Sequence, residues 1–265
     1  LAMLSGRYLV DEDSILRLSW TNTIARPKFG QSAFRRERNI EDDEVISGNP
    51  NLDPYEAMNF DISYERYLEG IGSFGVAVFH KEIDSFIFEE ESVITIDGEE
   101  FDFITPLNGD SASITGIEFS WQQNLSELAP ALNGFSVYSN ITLSDSESTT
   151  DTRAGEDLPF LAQSDTIANL ALTYENESVL FRLAGTYRSE YLDAIAGDAT
   201  EDEYADSHFQ LDAKAVYKIN PHSSVFLELI NLNDEPFQAY YGVPTRMRQF
   251  ETYSWSAKLG YKWIY

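Results

Sequence analysis

The sequence has no cysteine, few basic residues and no long hydrophobic run. Without cysteine there is no disulfide framework, no thiolate metal site and no catalytic thiol. The 18 lysine and arginine residues stand against 45 aspartate and glutamate residues, so the formal net charge is −27. This charge argues against a nucleic-acid partner, because phosphate binding needs a basic surface. No apolar run reaches the roughly 18 residues that indicate a transmembrane helix.

Apolar and polar residues instead alternate along the chain, most clearly in its last segment. Every odd position from 253 to 265 is apolar: Tyr253, Trp255, Ala257, Leu259, Tyr261, Trp263 and Tyr265. This period of two indicates a β-strand with one apolar and one polar face. The alternation predicts that one set of side chains contacts lipid, namely Leu211, Leu183, Val137 and Leu259. The opposite set should face the lumen of a barrel: Asp212, Arg182, Asn140 and Lys258.

Eleven segments show this alternation. They cover approximately residues 1–10, 14–25, 55–68, 73–88, 111–124, 132–145, 162–175, 178–191, 206–218, 222–232 and 251–265. Many are long enough to cross a bilayer, which takes about 9–11 tilted residues. The sequence therefore predicts an all-β fold, an antiparallel transmembrane β-barrel, in a single domain over 1–265.

The connections between these segments alternate between short and long. Short ones include 11–13, 69–72, 176–177 and 220–221, and 125–131 is intermediate; long polar ones run about 26–54, 89–110, 146–161, 192–205 and 233–250. Outer-membrane barrels have short periplasmic turns and longer extracellular loops, whereas a soluble β-sandwich has no reason to keep this parity. We therefore expect 26–54, 89–110 and 233–250 outside the cell and Tyr265 at the periplasmic rim.

The odd number of segments indicates that the barrel is incomplete, unless the count is wrong by one. Single-chain bacterial barrels have an even number of strands, and open sheet edges are not tolerated in lipid. The first and last segments also run in the same direction. We therefore expect segments 1–10 and 251–265 to pair with strands outside this chain rather than with each other.

Several motifs resemble those of one family. They are, in order, Ile24-Ala25-Arg26-Pro27; Gly48-Asn49-Pro50-Asn51-Leu52-Asp53-Pro54-Tyr55-Glu56-Ala57; Phe79-His80-Lys81-Glu82-Ile83-Asp84-Ser85-Phe86-Ile87; Ile230-Asn231-Leu232-Asn233-Asp234-Glu235-Pro236; and the terminal alternation. Together they resemble the barrel of TonB-dependent receptors. Asp53 stands where that family usually has lysine, and Tyr-Glu replaces its single glutamate.

The resemblance implies a barrel of about 22 strands with an N-terminal plug. This chain would supply roughly half of the strands and neither the plug nor the TonB box. The implied function is not enzymatic. It is uptake of a ferric chelate, cofactor or oligosaccharide, energised by the TonB–ExbB–ExbD complex; the alternative is a passive porin or structural barrel. Implied partners are lipopolysaccharide, outer-membrane lipid and the barrel assembly machinery, which would read Tyr261, Trp263 and Tyr265.

Candidate ligand-binding residues lie in the last long connection. They are Phe237, Tyr240, Tyr241, Arg246 and Arg248. Aromatic faces beside guanidinium groups suit sugars or aryl chelates. The alternative is that these residues form the upper aromatic girdle and pack the loop on the rim.

Acidic stretches recur in the other long connections: 41–44, 89–91, 97–100 and 198–206. Solvated loops are the favoured interpretation, with Ca²⁺ binding, concentration of a cationic ligand or divalent bridging to lipopolysaccharide as alternatives. The three histidines lack metal-ligand spacing, and no cofactor is expected.

Overall fold

The computed structural model describes residues 1–68, 70 and 72–264. Its main element is an eleven-stranded antiparallel sheet, here called the barrel sheet, with the strands in chain order. It contains β1 (Met3–Leu9), β2 (Ser14–Ala25), β5 (Tyr55–Leu68), β6 (Gly72–Asp84), β9 (Ser111–Asn124), β10 (Phe135–Thr149), β11 (Thr166–Glu175), β12 (Val179–Arg188), β15 (His208–Asn220), β16 (Ser223–Ile230) and β19 (Ser256–Trp263). The prediction of eleven antiparallel strands is thus confirmed, although the bounds of several differ from those predicted.

The long connections form a second, eight-stranded sheet, here called the loop sheet. It contains β3 (Arg36–Asn39), β4 (Glu44–Ser47), β7 (Ile87–Ile96), β8 (Glu99–Asn108), β13 (Tyr191–Ala196), β14 (Glu203–Ala205), β17 (Phe237–Tyr241) and β18 (Met247–Glu251). A short helix, α1 (Phe29–Ser32), precedes β3. No helix in the described part of the chain is long and apolar enough to span a membrane.

The long polar connections, whose acidic stretches were interpreted as solvated loops, contain strands. The acidic stretches 89–91 and 99–100 lie on strands β7 and β8, which Asp97 and Gly98 join at positive φ. A two-residue Asp-Gly turn between alternating residues is a strong hairpin signal, and the polar composition of the segment obscured it. The predicted strand 73–88 is also divided, because Ser85 adopts a φ of 56° between β6 and β7.

Long and short connections leave the barrel sheet at opposite ends. The turns after β1, β9, β11 and β15 lie at one end, and every connection that enters the loop sheet leaves from the other. The predicted alternation of short and long connections is therefore confirmed. The turn predicted at 69–72 includes Glu69 and Ile71, which lie outside the described residues.

One face of the barrel sheet is apolar and exposed. Paired residues of antiparallel strands share a face, and Leu172 pairs with Leu183 just as Leu227 pairs with Leu259. Leu183 and Leu259 are exposed, the latter at 79%. Val137 lies on the same face but is only 8% exposed, and its strand β10 also contacts the 3-10 turn Leu125–Glu127. Its predicted lipid contact is therefore wrong, although its face is right.

The opposite face of the barrel sheet carries polar and charged side chains. The Lys214 ammonium lies 2.7 Å from a carboxylate oxygen of Glu228, and Lys258 approaches the same carboxylate. The Asn169 amide donates to the Asn140 side chain at 2.8 Å. Such pairs between side chains of neighbouring strands satisfy the polar groups of this face. A polar face of this kind is typical of the lumen of a barrel.

The outermost barrel strands remain unpaired with each other. β1 pairs with β2, and β19 pairs with β16, so both are edges of the barrel sheet within the described ranges. Segments 1–10 and 251–265 thus do not pair with each other over the described residues, and their pairing with strands outside this chain stays a prediction.

Asparagine side chains explain two of the motifs. Where β16 ends, Asn231 takes a φ of 57°, and its side chain both donates to and accepts from the backbone of Glu235. The Asn233 side chain then accepts the Leu211 N–H at 2.8 Å. In the first long connection, the Asn49 amide donates to the Pro106 carbonyl at 3.1 Å. In all three cases an asparagine side chain supplies a hydrogen bond to a backbone group.

A hydrophobic core joins the two sheets at the loop end. Its buried members are Ile83, Phe86, Phe88, Ala112, Ile114, Leu158, Leu192 and Ile195. The rings of Phe86 and Phe160 meet edge to face, with their centroids 5.3 Å apart. Because the core takes residues from the barrel strands and from several connections, it fixes the loop sheet to the barrel sheet.

A buried ion pair also ties two connections together. The Arg153 guanidinium donates to Asp202 at 3.0 Å, and the two residues are 4% and 2% exposed. Arg153 further contacts the exposed Glu156 and donates to the Ala196 carbonyl at 3.2 Å. Asp202 also accepts the Ala196 N–H at 2.9 Å. Removing one partner leaves the other charge buried and uncompensated.

The two faces of the barrel sheet predict unequal effects of a new charge. Leu183→Arg places a cation on the apolar face near mid-strand and should cost about 2–4 kcal/mol. Ala184→Arg, on the polar face opposite Asp212, should cost much less. The measurement is the folding free energy of the full-length protein in lipid vesicles. Equal destabilisation by both variants would contradict the assignment of the faces.

The ion pair predicts local rather than global destabilisation. Arg153→Met should weaken the loop sheet by about 3–5 kcal/mol, because Asp202 loses its buried partner. The double variant Arg153→Met with Asp202→Asn should recover most of this, since asparagine can still accept from Ala196. Hydrogen exchange at residues 150–165 and at residues 191–205, which include β13 and β14, measures the effect. The control is Arg246→Met, which removes one partner of the exposed pair with Glu201. Faster exchange throughout the barrel strands would contradict a local role.

Candidate functional site

The five predicted ligand-binding residues lie in the last long connection, within or beside the hairpin of β17 and β18. Phe237, Tyr240 and Tyr241 belong to β17, Arg248 belongs to β18, and Arg246 lies just before it. β17 also pairs with β14, so the hairpin is part of the loop sheet. The structure thus brings the five residues into one small region.

Tyr240 makes one contact through its ring and another through its hydroxyl. Its ring stacks on that of Tyr204 with the centroids 5.3 Å apart, and its hydroxyl donates to Glu190 at 2.8 Å. Burial, followed by the hydrogen bond to Glu190, raises the pKa of the Tyr240 phenol well above its ordinary value. Tyr240 is therefore an anchor of the hairpin, while Phe237 and Tyr241 are half-buried.

The two arginines of this hairpin are paired with carboxylates. Arg246 lies 2.9 Å from Glu201, and its guanidinium carbon is 5.8 Å from the centre of the Tyr241 ring. The Arg248 Nε lies 2.7 Å from Glu203. A ligand that uses either guanidinium would have to compete with these carboxylates. Binding by the five residues stays a prediction.

An acidic cleft of about 410 Å³ opens beside Tyr241. Its carboxylates come from β7, β8 and the connection that contains β14: Glu89, Glu91, Asp102, Asp198, Glu201 and Glu203. Burial, and then the charge of Asp102, raise the pKa of Glu91. Burial also raises the pKa of Glu203, although nearby Arg248 opposes this. The cleft therefore repels anions.

Within the described ranges, no group of three or more His, Cys, Asp or Glu side chains has an arrangement that would hold a metal ion. Sequence reasoning missed Glu190, Glu201 and Tyr204 as partners of the predicted residues. They lie far from those residues in sequence, and no local pattern links them.

The predicted assembly signal lies on the outermost strand of the barrel sheet. Tyr261 and Trp263 are exposed residues of β19 on its apolar face. Tyr265 lies outside the described residues. The arrangement matches an aromatic strand end, but recognition by the assembly machinery stays a prediction.

Comparison with known proteins gives one family and several related structures. The family described as TonB dependent receptor-like, beta-barrel, matches residues 3–232. No curated protein sequence matches the chain. A ferric enterobactin receptor mutant from Pseudomonas aeruginosa (PfeA), in complex with enterobactin, superposes with a TM-score of 0.68 at 13% identity; the match covers 98% of this chain and 40% of that one.

Two further receptors superpose equally well. The siderophore receptor PiuA from Acinetobacter baumannii has a TM-score of 0.68 at 18% identity, over 99% of this chain and 35% of its own. The ferric-catecholate import receptor Fiu from E. coli has a TM-score of 0.67 at 14% identity, over 99% and 34%. The chain thus spans well under half the length of these proteins, and identities this low show the fold alone. Since the family match extends from β1 to the end of β16, this chain belongs to the TonB-dependent receptor family and forms part of its β-barrel.

Proposed function

We propose that this protein is an outer-membrane receptor that imports an extracellular nutrient with energy from the TonB–ExbB–ExbD complex. The observation that carries the proposal is the family match over residues 3–232. The barrel sheet supports it, because one face is apolar and exposed and the other carries ion pairs. The remaining strands of a barrel of about 22, and the plug that contacts TonB, would come from outside this chain.

A ferric chelate is the first ligand to test, ahead of a cofactor or an oligosaccharide. PfeA was solved with enterobactin, and Fiu is described as a ferric-catecholate import receptor. Those ligands belong to those proteins, and the low identity leaves the ligand of this one to experiment. The proposed entry route begins at the loop sheet.

The orientation follows from the two ends of the barrel sheet. The short turns would face the periplasm and the loop sheet the outside, as in other outer-membrane barrels. The C-terminus, with Tyr261, Trp263 and Tyr265, would then lie at the periplasmic rim, where the assembly machinery would read it. Lipopolysaccharide and lipid would contact the apolar face.

Active uptake predicts a closed and TonB-dependent barrel. The full-length protein in a planar bilayer should give no steady conductance, because a plug fills the lumen. Cells should accumulate a radiolabelled ferric chelate only when both this gene and the TonB gene are intact. Stepwise conductance, or uptake that persists without TonB, would instead identify a passive porin.

The proposed orientation predicts where trypsin cuts intact cells. Cleavage should follow the exposed Lys28, Arg35 and Arg36 of the first long connection and should also occur within 233–250. Lys218, near a short turn, is about half exposed and is the internal control. Mass spectrometry of the released peptides identifies the sites. Cleavage confined to Lys218 would reverse the orientation.

A further inference from the structure

The sequence contains two Asn-Gly pairs, Asn108-Gly109 and Asn133-Gly134. Asn-Gly is the pair most prone to spontaneous deamidation, because glycine has no side chain to shield its backbone nitrogen. In this reaction the glycine nitrogen attacks the side-chain amide carbon of the preceding asparagine. Whether a folded chain permits the attack depends on how firmly the asparagine and the next peptide group are held. The two pairs differ in this respect.

The side chain of Asn108, the last residue of β8, is hydrogen-bonded through both its oxygen and its nitrogen. The oxygen accepts the Asp53 N–H at 2.9 Å, and the nitrogen donates to the carbonyls of Asp53 at 3.2 Å and Ser85 at 2.8 Å. The Gly109 N–H donates to the Phe86 carbonyl at 2.7 Å, and Gly109 is buried beside the Phe86 ring. Attack on the Asn108 side chain therefore requires several hydrogen bonds to open first.

Asn133 lies exposed in the connection between β9 and β10. Its own N–H donates to the Pro130 carbonyl at 3.2 Å. Over the part of the chain that the structure describes, however, its side-chain amide, its backbone carbonyl and the Gly134 N–H make no hydrogen bond. The peptide group between Asn133 and Gly134 can thus rotate toward the geometry of attack without losing a hydrogen bond of its own.

The turn itself requires glycine at position 134. Gly134 has a φ of 86°, which residues with a side chain rarely adopt. A Cβ atom there would also lie 2.8 Å from the Glu175 carbonyl oxygen and 2.9 Å from the Tyr174 ring. The fold therefore keeps beside Asn133 the residue type that makes it reactive.

We propose that Asn133 is a site of spontaneous deamidation in the folded protein and that Asn108 is protected from it. The Gly134 nitrogen forms a bond to the side-chain amide carbon of Asn133, and the bond from that carbon to the amide nitrogen breaks. The amide nitrogen leaves as ammonia and takes the proton that Gly134 gives up. Water then opens the succinimide ring at either carbonyl, which yields aspartate or isoaspartate.

The products change the charge and the geometry of this turn. A neutral amide becomes a carboxylate, and isoaspartate adds one carbon to the backbone before Gly134. The Glu175 N–H donates to the Gly134 carbonyl at 2.7 Å, just beyond the last paired residues of β10 and β11. We expect the longer backbone to break this hydrogen bond and to loosen the end of β11.

The test compares the two asparagines within one molecule. The full-length protein in detergent is incubated in a mildly alkaline buffer, because the attacking nitrogen must lose its proton. Samples are stopped in acid and digested with pepsin, and mass spectrometry follows deamidation at each asparagine. A parallel sample is incubated in guanidinium chloride. The control variant is Asn133→Gln, whose longer side chain closes a larger ring and reacts slowly.

We expect Asn133 to react at least about ten-fold faster than Asn108 in the folded protein, since the hydrogen bonds of Asn108 must open first. In guanidinium chloride the two rates should come within about two-fold, because the unfolded chain leaves only the shared Asn-Gly sequence to set them. Asn133→Gln should abolish the signal from this turn and leave that of Asn108 unchanged. Hydrogen exchange at Glu175 should be faster in the isoaspartate product than in the unreacted protein.

Similar rates at both asparagines of the folded protein, or faster reaction at Asn108, would overturn the inference. A difference that persists in guanidinium chloride would overturn it too, because the fold would then not be its cause. Unchanged exchange at Glu175 would contradict the expected loosening of β11. The inference does not depend on the proposed uptake, since the measurement needs neither TonB nor a ligand.

Discussion

The constraint on which the structure depends is that every backbone N–H and C=O group in the barrel sheet must be paired within the sheet. Lipid offers no hydrogen bonds, and an unpaired group there costs several kcal/mol. Antiparallel pairing in chain order satisfies this from β2 to β16. It also leaves one face free to be apolar and the other to carry ion pairs such as Lys214–Glu228. Where pairing stops, at the end of β16, the side chains of Asn231 and Asn233 replace the missing strand.

Most of the barrel sheet could be predicted because the alternation that marks its strands lies between neighbouring residues of the sequence. At positions such as Leu183 and Leu259, the face of the sheet that a side chain occupies alternates with each step along the strand. The alternation of apolar and polar residues in the sequence therefore indicates the face directly. Val137 shows the limit of the pattern, since it lies on the apolar face of the sheet and yet is only 8% exposed. The loop sheet was not predictable in the same way. Six of its eight strands have six residues or fewer, and β4 with β8, like β7 with β13, pair in parallel across distant connections.

The candidate ligand-binding residues show that residue composition can indicate a region of the chain without showing whether its guanidinium groups are free to contact a ligand. Arg246 and Arg248 have the residue types that suit an anionic or aryl ligand, yet each faces a glutamate about 45 positions earlier in the chain. Residues 26–38 have a similar composition. There the Arg36 guanidinium lies over the Phe103 ring, whereas Arg35 and Arg38 lie beside the exposed carboxylates of Glu37 and Glu99. The difference arises from which connection packs beside which, and no local pattern in the sequence records that.

The parallel pairs of the loop sheet have a consequence for the order of folding. β4 and β8 are separated by two complete barrel strands, and β7 and β13 by four. Closing such long loops is entropically costly until other contacts hold their ends near each other. The barrel strands supply that proximity, because each one fixes where a connection begins and ends. We therefore expect the loop sheet to form after the barrel strands have paired.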